Sequence, residues 1–259
     1  MMVNILQNFN KFKPLLANLI SRDIKVKYRR SILGVIWSVL NPLLMMIIIS
    51  IVFSKIFRFT IPNFPIYYLT GSLIFNFFSE ATNTAMTSVV TNAPLLKKVY
   101  IPKYLFPLQK TISALVNLGF SFIAIVIVLI FMPVQPTWLM LLTPVPILYT
   151  LVFSLGLGMA LSALAVFVRD VYHLFSILLI AWTYLTPIFY PVDILPESVM
   201  TILKFNPLYH FIDYFRNIFM YGVMPTFYDN LICMIFSGGF LLIGVLIFKK
   251  TQNKFVLYL

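Results

Sequence analysis

Glu80 is the one acid that falls well inside an apolar stretch, and its neighbours Asn76, Ser79, Thr82, Asn83 and Thr84 give it a polar face. An ionisable group at bilayer depth costs about 2.5 to 3.5 kcal/mol, so it is expected to face protein or a water-filled path. Two roles fit: lining a pathway, or closing a buried hydrogen bond between helices. Other chemistry is sparse. The remaining acids, Asp23, Asp170, Asp193, Glu197, Asp213 and Asp229, are scattered, and no Ser, His and Asp grouping follows from their spacing. His173 and His210 lack an H-E-x-x-H or similar partner and read as interfacial side chains. No G-x-x-x-x-G-K-[ST] loop exists among the nine glycines, so ATP is not bound and split here in the usual manner. The lone cysteine, Cys233, excludes a disulfide framework within one chain and a multi-cysteine metal site. An enzyme is not expected.

Glu80 must be positioned by a membrane bundle. With 61% hydrophobic and 10% charged residues among 259, and a mean hydropathy of +0.97, the chain cannot hide its apolar surface in one soluble core. A bilayer core needs about 20 mostly apolar residues per helix, and open strands there leave backbone groups unpaired. Residues 36–57, 66–90, 108–132, 138–168, 171–189 and 231–248 qualify, which predicts an all-α integral membrane protein with six transmembrane helices. The fourth stretch is longer than a span needs, and Pro144 and Pro146 predict a kink or a late helix start. The second is the least apolar. The first twenty residues lack the pattern of a cleavable signal.

Lysine and arginine set the sidedness. With the N-terminus inside, fifteen of the 19 fall in cytosolic pieces, and only Lys55, Arg58, Lys204 and Arg216 lie outside, the asymmetry of the positive-inside rule. Both termini are then cytosolic in a multi-pass protein of the plasma (inner) membrane. The net charge of +12 is no sign of nucleic acid, because the cations sit between apolar runs rather than on a soluble face.

Phe12, Leu15, Leu16, Leu19, Ile20, Ile24 and Tyr28 recur at three- and four-residue spacing, with Arg22, Lys25, Lys27, Arg29 and Arg30 beside them. This predicts an amphipathic helix lying in the inner interface against membrane lipid, with its cations near anionic headgroups. It serves as a topology anchor or as something more. Outside, residues 190–230 are punctuated by Pro191, Pro196, Pro207 and Pro225, and two short amphipathic helices between them are expected to be re-entrant or interfacial. Ser154, Gly158 and Ser162 recur every four residues with Gly156 and Ala160 beside them, a close-packing face within the chain or across a dimer. Aromatic residues crowd the span ends as an interfacial belt, or in part as the lining of a conduit, for which Trp37, Trp182, Tyr184, Phe189 and Tyr190 join Glu80 as candidates.

Several patterns occur in a fixed order: the basic pre-helix with "KYRRSILGVIWSVLNPLL", then "LLKKVYIPKYLFPL", "FVRDVYHLF", "LTPIFYPVDILPE" and "FNPLYHFIDYFRNIF". Together they resemble the permease subunits of ATP-binding-cassette polysaccharide exporters, which move O-antigens, capsules, teichoic acids and related glycans. The resemblance implies residues 1–34 as the interfacial helix, 35–250 as the six-span permease domain and 251–259 as a cytosolic tail. It implies a coupling loop over 94–107, where Leu95, Leu96, Lys97, Lys98, Val99, Tyr100, Ile101, Pro102 and Lys103 meet a cytosolic ATPase, Lys97, Lys98, Lys103 and Tyr100 facing it, with a short helix bounded by Pro102 and Pro107. It places an outer gate over 190–228, with Tyr209, Phe211, Tyr214 and Phe215 on it, and gives Arg169 and Asp170 a structural or coupling turn. Two such chains pair, recruit two ATPase subunits that carry ATP and Mg, and pass a lipid-linked polysaccharide, whose anionic anchor the cations Arg22, Lys25, Lys27, Arg29 and Arg30 could attract. This chain itself needs no cofactor. Competing readings are a related ATP-driven permease for drugs or small lipids, and an ion-gradient-driven carrier; the carrier would need repeats and more midplane ionisable groups than the one present.

Overall fold

The computed structural model describes residues 2–29, 31–58, 61–132, 134 and 137–259, with side chains from Lys11 onward apart from Lys55. It is all-helical, with no strand among the described residues. The order is α1 (Met2–Tyr28), α2 (Trp37–Ile51), α3 (Phe64–Thr91), α4 (Ala93–Lys98), α5 (Leu105–Phe131), α6 (Pro144–Phe167), α7 (Val171–Leu185), α8 (Glu197–Leu203), α9 (Pro207–Arg216), α10 (Phe227–Thr251) and α11 (Phe255–Tyr258). Four segments are long and apolar enough to cross a membrane: Gly34–Ser54, Leu105–Phe131, Trp138–Phe167 and Phe227–Tyr258. The predicted break in the third of these is real. A tight turn over Trp138–Leu142 precedes α6, which starts with Pro144 in its first turn, where the missing N–H costs nothing. Helix α7 is shorter than the 171–189 stretch, because Thr186 precedes Pro187 and is extended.

The least apolar stretch, α3, occupies the centre. Only Asn76, Asn83 and Thr91 of its 28 residues are exposed, since α5 and α6 flank it and α9 covers its first half. Its low hydropathy follows from being surrounded by protein rather than lipid. Its hydroxyls are satisfied within the helix: Thr70 donates to the Ile66 carbonyl at 2.9 Å, Thr82 to Phe78 at 2.7 Å and Ser88 to Ala85 at 2.6 Å.

Phe153 of α6 joins the layers, with its ring 5.5 Å from Phe78, 5.6 Å from Phe211, 6.3 Å from Trp182 and 4.8 Å from Phe240. The small residues of α6 pack within the chain. A Cβ on Gly156 would stand 2.5 Å from the Leu241 backbone of α10, and one on Gly158 would stand 2.8 Å from the Ala85 Cβ of α3. At the same crossing a Cβ on Gly244 would lie 1.9 Å from the Gly156 carbonyl oxygen, so α6 and α10 touch backbone to backbone.

Both chain ends fold back. The apolar face of α1 rests partly on protein rather than wholly on the interface, as Leu16 is buried with Ile101, Leu105 and Phe106, and Leu19 is buried as well. Residues 251–259 are no free tail: a turn at Gln252–Lys254 leads into α11, and Phe255 is buried with its ring 5.3 Å from Phe248 and 6.0 Å from Phe167.

Candidate functional site

A cavity of about 610 Å³ opens where the end of α1 meets α2, α3 and α5, and Lys27, Trp37, Asn41, Asn76, Glu80 and Asn117 are on its wall. Glu80 sits near the middle of α3. Its Oε1 accepts from Lys27 Nζ at 2.7 Å and from Asn117 Nδ2 at 2.6 Å. The two roles open to Glu80 in the sequence therefore coincide, since it is hydrogen-bonded between helices and also lines a cavity. The pair is half-solvated, with the side chains of Lys27 and Glu80 45% and 34% exposed. Tyr28 extends the network, donating to Asn117 Oδ1 at 3.0 Å and contacting Ser38 Oγ of the following segment at 2.5 Å.

One turn earlier Asp23 accepts from both Gln109 and Lys110 of α5. A smaller cavity of about 220 Å³ joins Asp23 and Lys110 to Lys27, Glu80 and Asn117. The basic end of α1 is thus bolted to the bundle at Asp23, Lys27 and Tyr28. The predicted cations Arg22, Lys25, Lys27 and Arg29 are all exposed, and among the described residues Arg22 bonds only its neighbour Asp23, at 3.3 Å. Lys27 differs from the others, because its ammonium is already paired with Glu80. Arg30 lies outside the described residues.

The basic loop is organised differently from expectation. Its short helix is α4, opened by Pro94 and ended at the extended Val99, while Pro102 to Tyr104 form a turn and Pro107 is buried inside α5. Proline is favoured in a first helical turn, and Pro94 takes that place. Lys97, Lys98, Val99 and Tyr100 project outward, Tyr100 being 91% exposed, and Leu95 and Leu96 are half-buried. Ile101 points into the core. Lys103 also turns inward, against the expectation of an outward-facing cation. It donates to the Gln252 carbonyl at 2.6 Å and lies 5.7 Å from the Phe255 ring centre, and burial lowers its pKa.

The aromatic candidates do not gather in one place. Trp37 shares the Glu80 cavity, whereas Tyr184 and Tyr190 line a separate apolar groove with Phe53, Phe57 and Leu195. Phe189 packs on Phe53, Tyr184 and Tyr190. Trp182 is a packing residue, edge-on to Phe78 at 5.1 Å, with Nε1 donating to Asn206 at 2.8 Å. On α9, Phe211 and Phe215 are core residues, Tyr214 donates to Asn230 at 2.9 Å, and Tyr209 lines a cavity. Arg169 and Asp170 are exposed in the turn before α7, where their carbonyls accept from the Tyr172 and Leu174 amides.

Arg216 was missed by sequence reasoning, which counted it as an outer loop charge. It is 3% exposed, and its guanidinium lies 3.5 Å over the Tyr67 ring. Its Nη2 donates to the Tyr67 and Ile188 carbonyls at 3.1 and 3.2 Å. The signal was there: Arg216 follows Ile212 and Phe215 on the apolar face of a helix.

Comparison with known proteins places this architecture. An O-antigen export system permease protein RfbA from Klebsiella pneumoniae is 29% identical over 252 residues, 96% of each chain. The protein of the same name from Myxococcus xanthus is 31% identical over 226 residues, 86% of this chain and 87% of that one. The polysialic acid transport protein KpsM from Escherichia coli is 22% identical over 265 residues, 95% of this chain and 96% of its own. The sequence profile described as ABC-2 type transporter matches residues 14–220, and the chain belongs to that family of membrane transport subunits.

Proposed function

We propose that two copies of this chain form the membrane conduit of an ATP-driven exporter that carries a lipid-linked cell-surface polysaccharide out of the cytosol. The observation that carries this reading is the end-to-end likeness to O-antigen export permeases, which spans 96% of both chains. The six spans are the apolar segments beginning with α2, α3, α5, α6, α7 and α10, with both termini cytosolic. Helices α8 and α9 then form the outer gate. Of the residues of α2 only Pro42 is buried in one chain, which suits a helix that meets lipid or the second copy.

The partner ATPase binds ATP and Mg and docks on Leu95 to Lys103, where Lys97, Lys98 and Tyr100 form the outward face. The substrate's anionic anchor is drawn to Arg22, Lys25 and Arg29, and Lys27 hands it on by exchanging Glu80 for phosphate oxygens.

One experiment tests the arrangement. In a Cys233→Ser background, Tyr100→Cys should be labelled by a membrane-impermeant maleimide only after cells are opened, and deletion of the gene should remove glycan from the cell surface. Labelling of intact cells would overturn the topology. Surface glycan unaffected by deletion would instead favour the export of a drug or small lipid.

A further inference from the structure

At the end of α3 opposite the basic loop, a cavity of about 300 Å³ lies between the Ile61–Pro62 turn, the Pro191–Asp193 stretch and the end of α9. Its polar wall is Tyr67, Tyr209, Tyr221, Asp193, Asp213 and Arg216. Arg216 is almost wholly buried, yet its Nε has no hydrogen-bond partner among the described residues. No carboxylate lies within ion-pair distance of it among them. The Tyr209 hydroxyl and, on the solvent-open side of the cavity, the exposed Tyr221 hydroxyl and Asp193 carboxylate have no hydrogen-bond partner among the described residues, and Asp213 accepts from Asn217 at 3.3 Å.

A buried donor left without an acceptor costs about 1–3 kcal/mol, and in this wall that cost falls on Arg216 alone, the exposed Tyr221 and Asp193 being open to water or a ligand. The chemistry of the missing group is narrow. An anion would meet the carboxylates of Asp193 and Asp213 against a single guanidinium, and a cation would meet Arg216. A purely apolar group would leave the guanidinium, both phenols and both carboxylates unpaired. A neutral polyol satisfies all of them: its oxygens accept from Arg216, its hydroxyls donate to the carboxylates, and its C–H face lies on tyrosine rings. Burial raises the Tyr209 and Tyr221 phenols, so both stay protonated as donors. The volume is at the small end of ligand pockets, suited to one ring rather than a chain.

We propose that this cavity is a subsite for a single neutral pyranose residue, built within one chain and separate from the Glu80 cavity. It rests on the reading of the protein as a glycan permease and adds a specificity, since acidic sugars are disfavoured here.

The test is saturation-transfer NMR on the full chain in lipid nanodiscs, with methyl glycosides of glucose, galactose, mannose, rhamnose and N-acetylglucosamine, and with methyl glucuronide as the anion. At least one neutral glycoside should bind with a dissociation constant of about 1–10 mM, and glucuronide about tenfold more weakly. Tyr221→Phe and Asp193→Asn leave the buried Arg216 untouched, and each should weaken binding about threefold or more. Absence of binding by every neutral glycoside, equal binding in both variants, or preference for glucuronide would each overturn the subsite. Surface glycan on deletion of the gene separates the two ideas. Glycan lost on deletion but no glycoside bound removes the subsite alone, whereas glycan retained removes the permease reading and the subsite with it.

Discussion

The pairing of Lys27 with Glu80 makes a quantitative prediction through a double-mutant cycle of Lys27→Gln, Glu80→Gln and the two combined. Opposite charges about 4 Å apart attract by about 4 kcal/mol at the effective dielectric of a protein surface. Here the ammonium and carboxylate are in contact at 2.7 Å, but the side chains are 45% and 34% exposed. Solvent screening and the entropy of ordering two long side chains reduce the net coupling to about 1 kcal/mol. For a chain of this size that is an apparent Tm loss of about 2–4 °C for each single variant. Glutamine at position 80 can still accept from Asn117, so the loss reports mainly the ion pair. The assay is thermal unfolding of detergent-purified protein followed by tryptophan fluorescence. The double variant should lose no more than the worse single variant, because the second substitution removes a partner that is already alone. Losses that add to about twice either single value would show that the two residues do not interact, and the account of α1 as bolted to α3 would fail.

Other outcomes follow from the same contacts. Gly244→Ala forces α6 and α10 apart and should cost about 3 kcal/mol or more, whereas Gly239→Ala, with nothing within 4 Å of its Cβ, should leave thermal unfolding unchanged. Arg216→Met leaves the Tyr67 and Ile188 carbonyls short of a donor, a loss of about 2–4 kcal/mol that hydrogen exchange over residues 186–196 should register as faster opening. Lys97→Glu with Lys98→Glu should abolish co-purification of the proposed partner ATPase without moving Tm, since both side chains are exposed. Phe255→Ala should free residues 252–259 to exchange at least about tenfold faster, by removing the ring held on Phe248 and Phe167.

The apolar helices were legible in the sequence because length and hydropathy are properties of contiguous residues, and the Pro144 break was legible because a proline's effect is local. The role of Glu80 was half legible. Composition marked it as costly, but its partners Lys27 and Asn117 lie 53 and 37 residues away, and no periodicity brings them together. The short helix of the basic loop was misplaced because three prolines offered three boundaries; Pro94 sits in the first turn of α4, while Pro107 falls inside α5 beside the buried Leu105 and Phe106. Lys103 and Arg216 were miscounted as solvated charges for a common reason. Both find backbone carbonyls from distant segments, Gln252 for one and Tyr67 with Ile188 for the other, which sequence spacing does not reveal.

The bond from Lys103 to the Gln252 carbonyl carries a mechanical consequence. The basic loop is continuous with α3 through Asn92 and with α5 through Tyr104, and Lys103 moors it to the far end of α10 as well. A push delivered at Tyr100 is therefore shared by three helices at once. Because α10 is keyed to α6 where Gly244 meets Gly156, any such push would bear on α6 as a fourth.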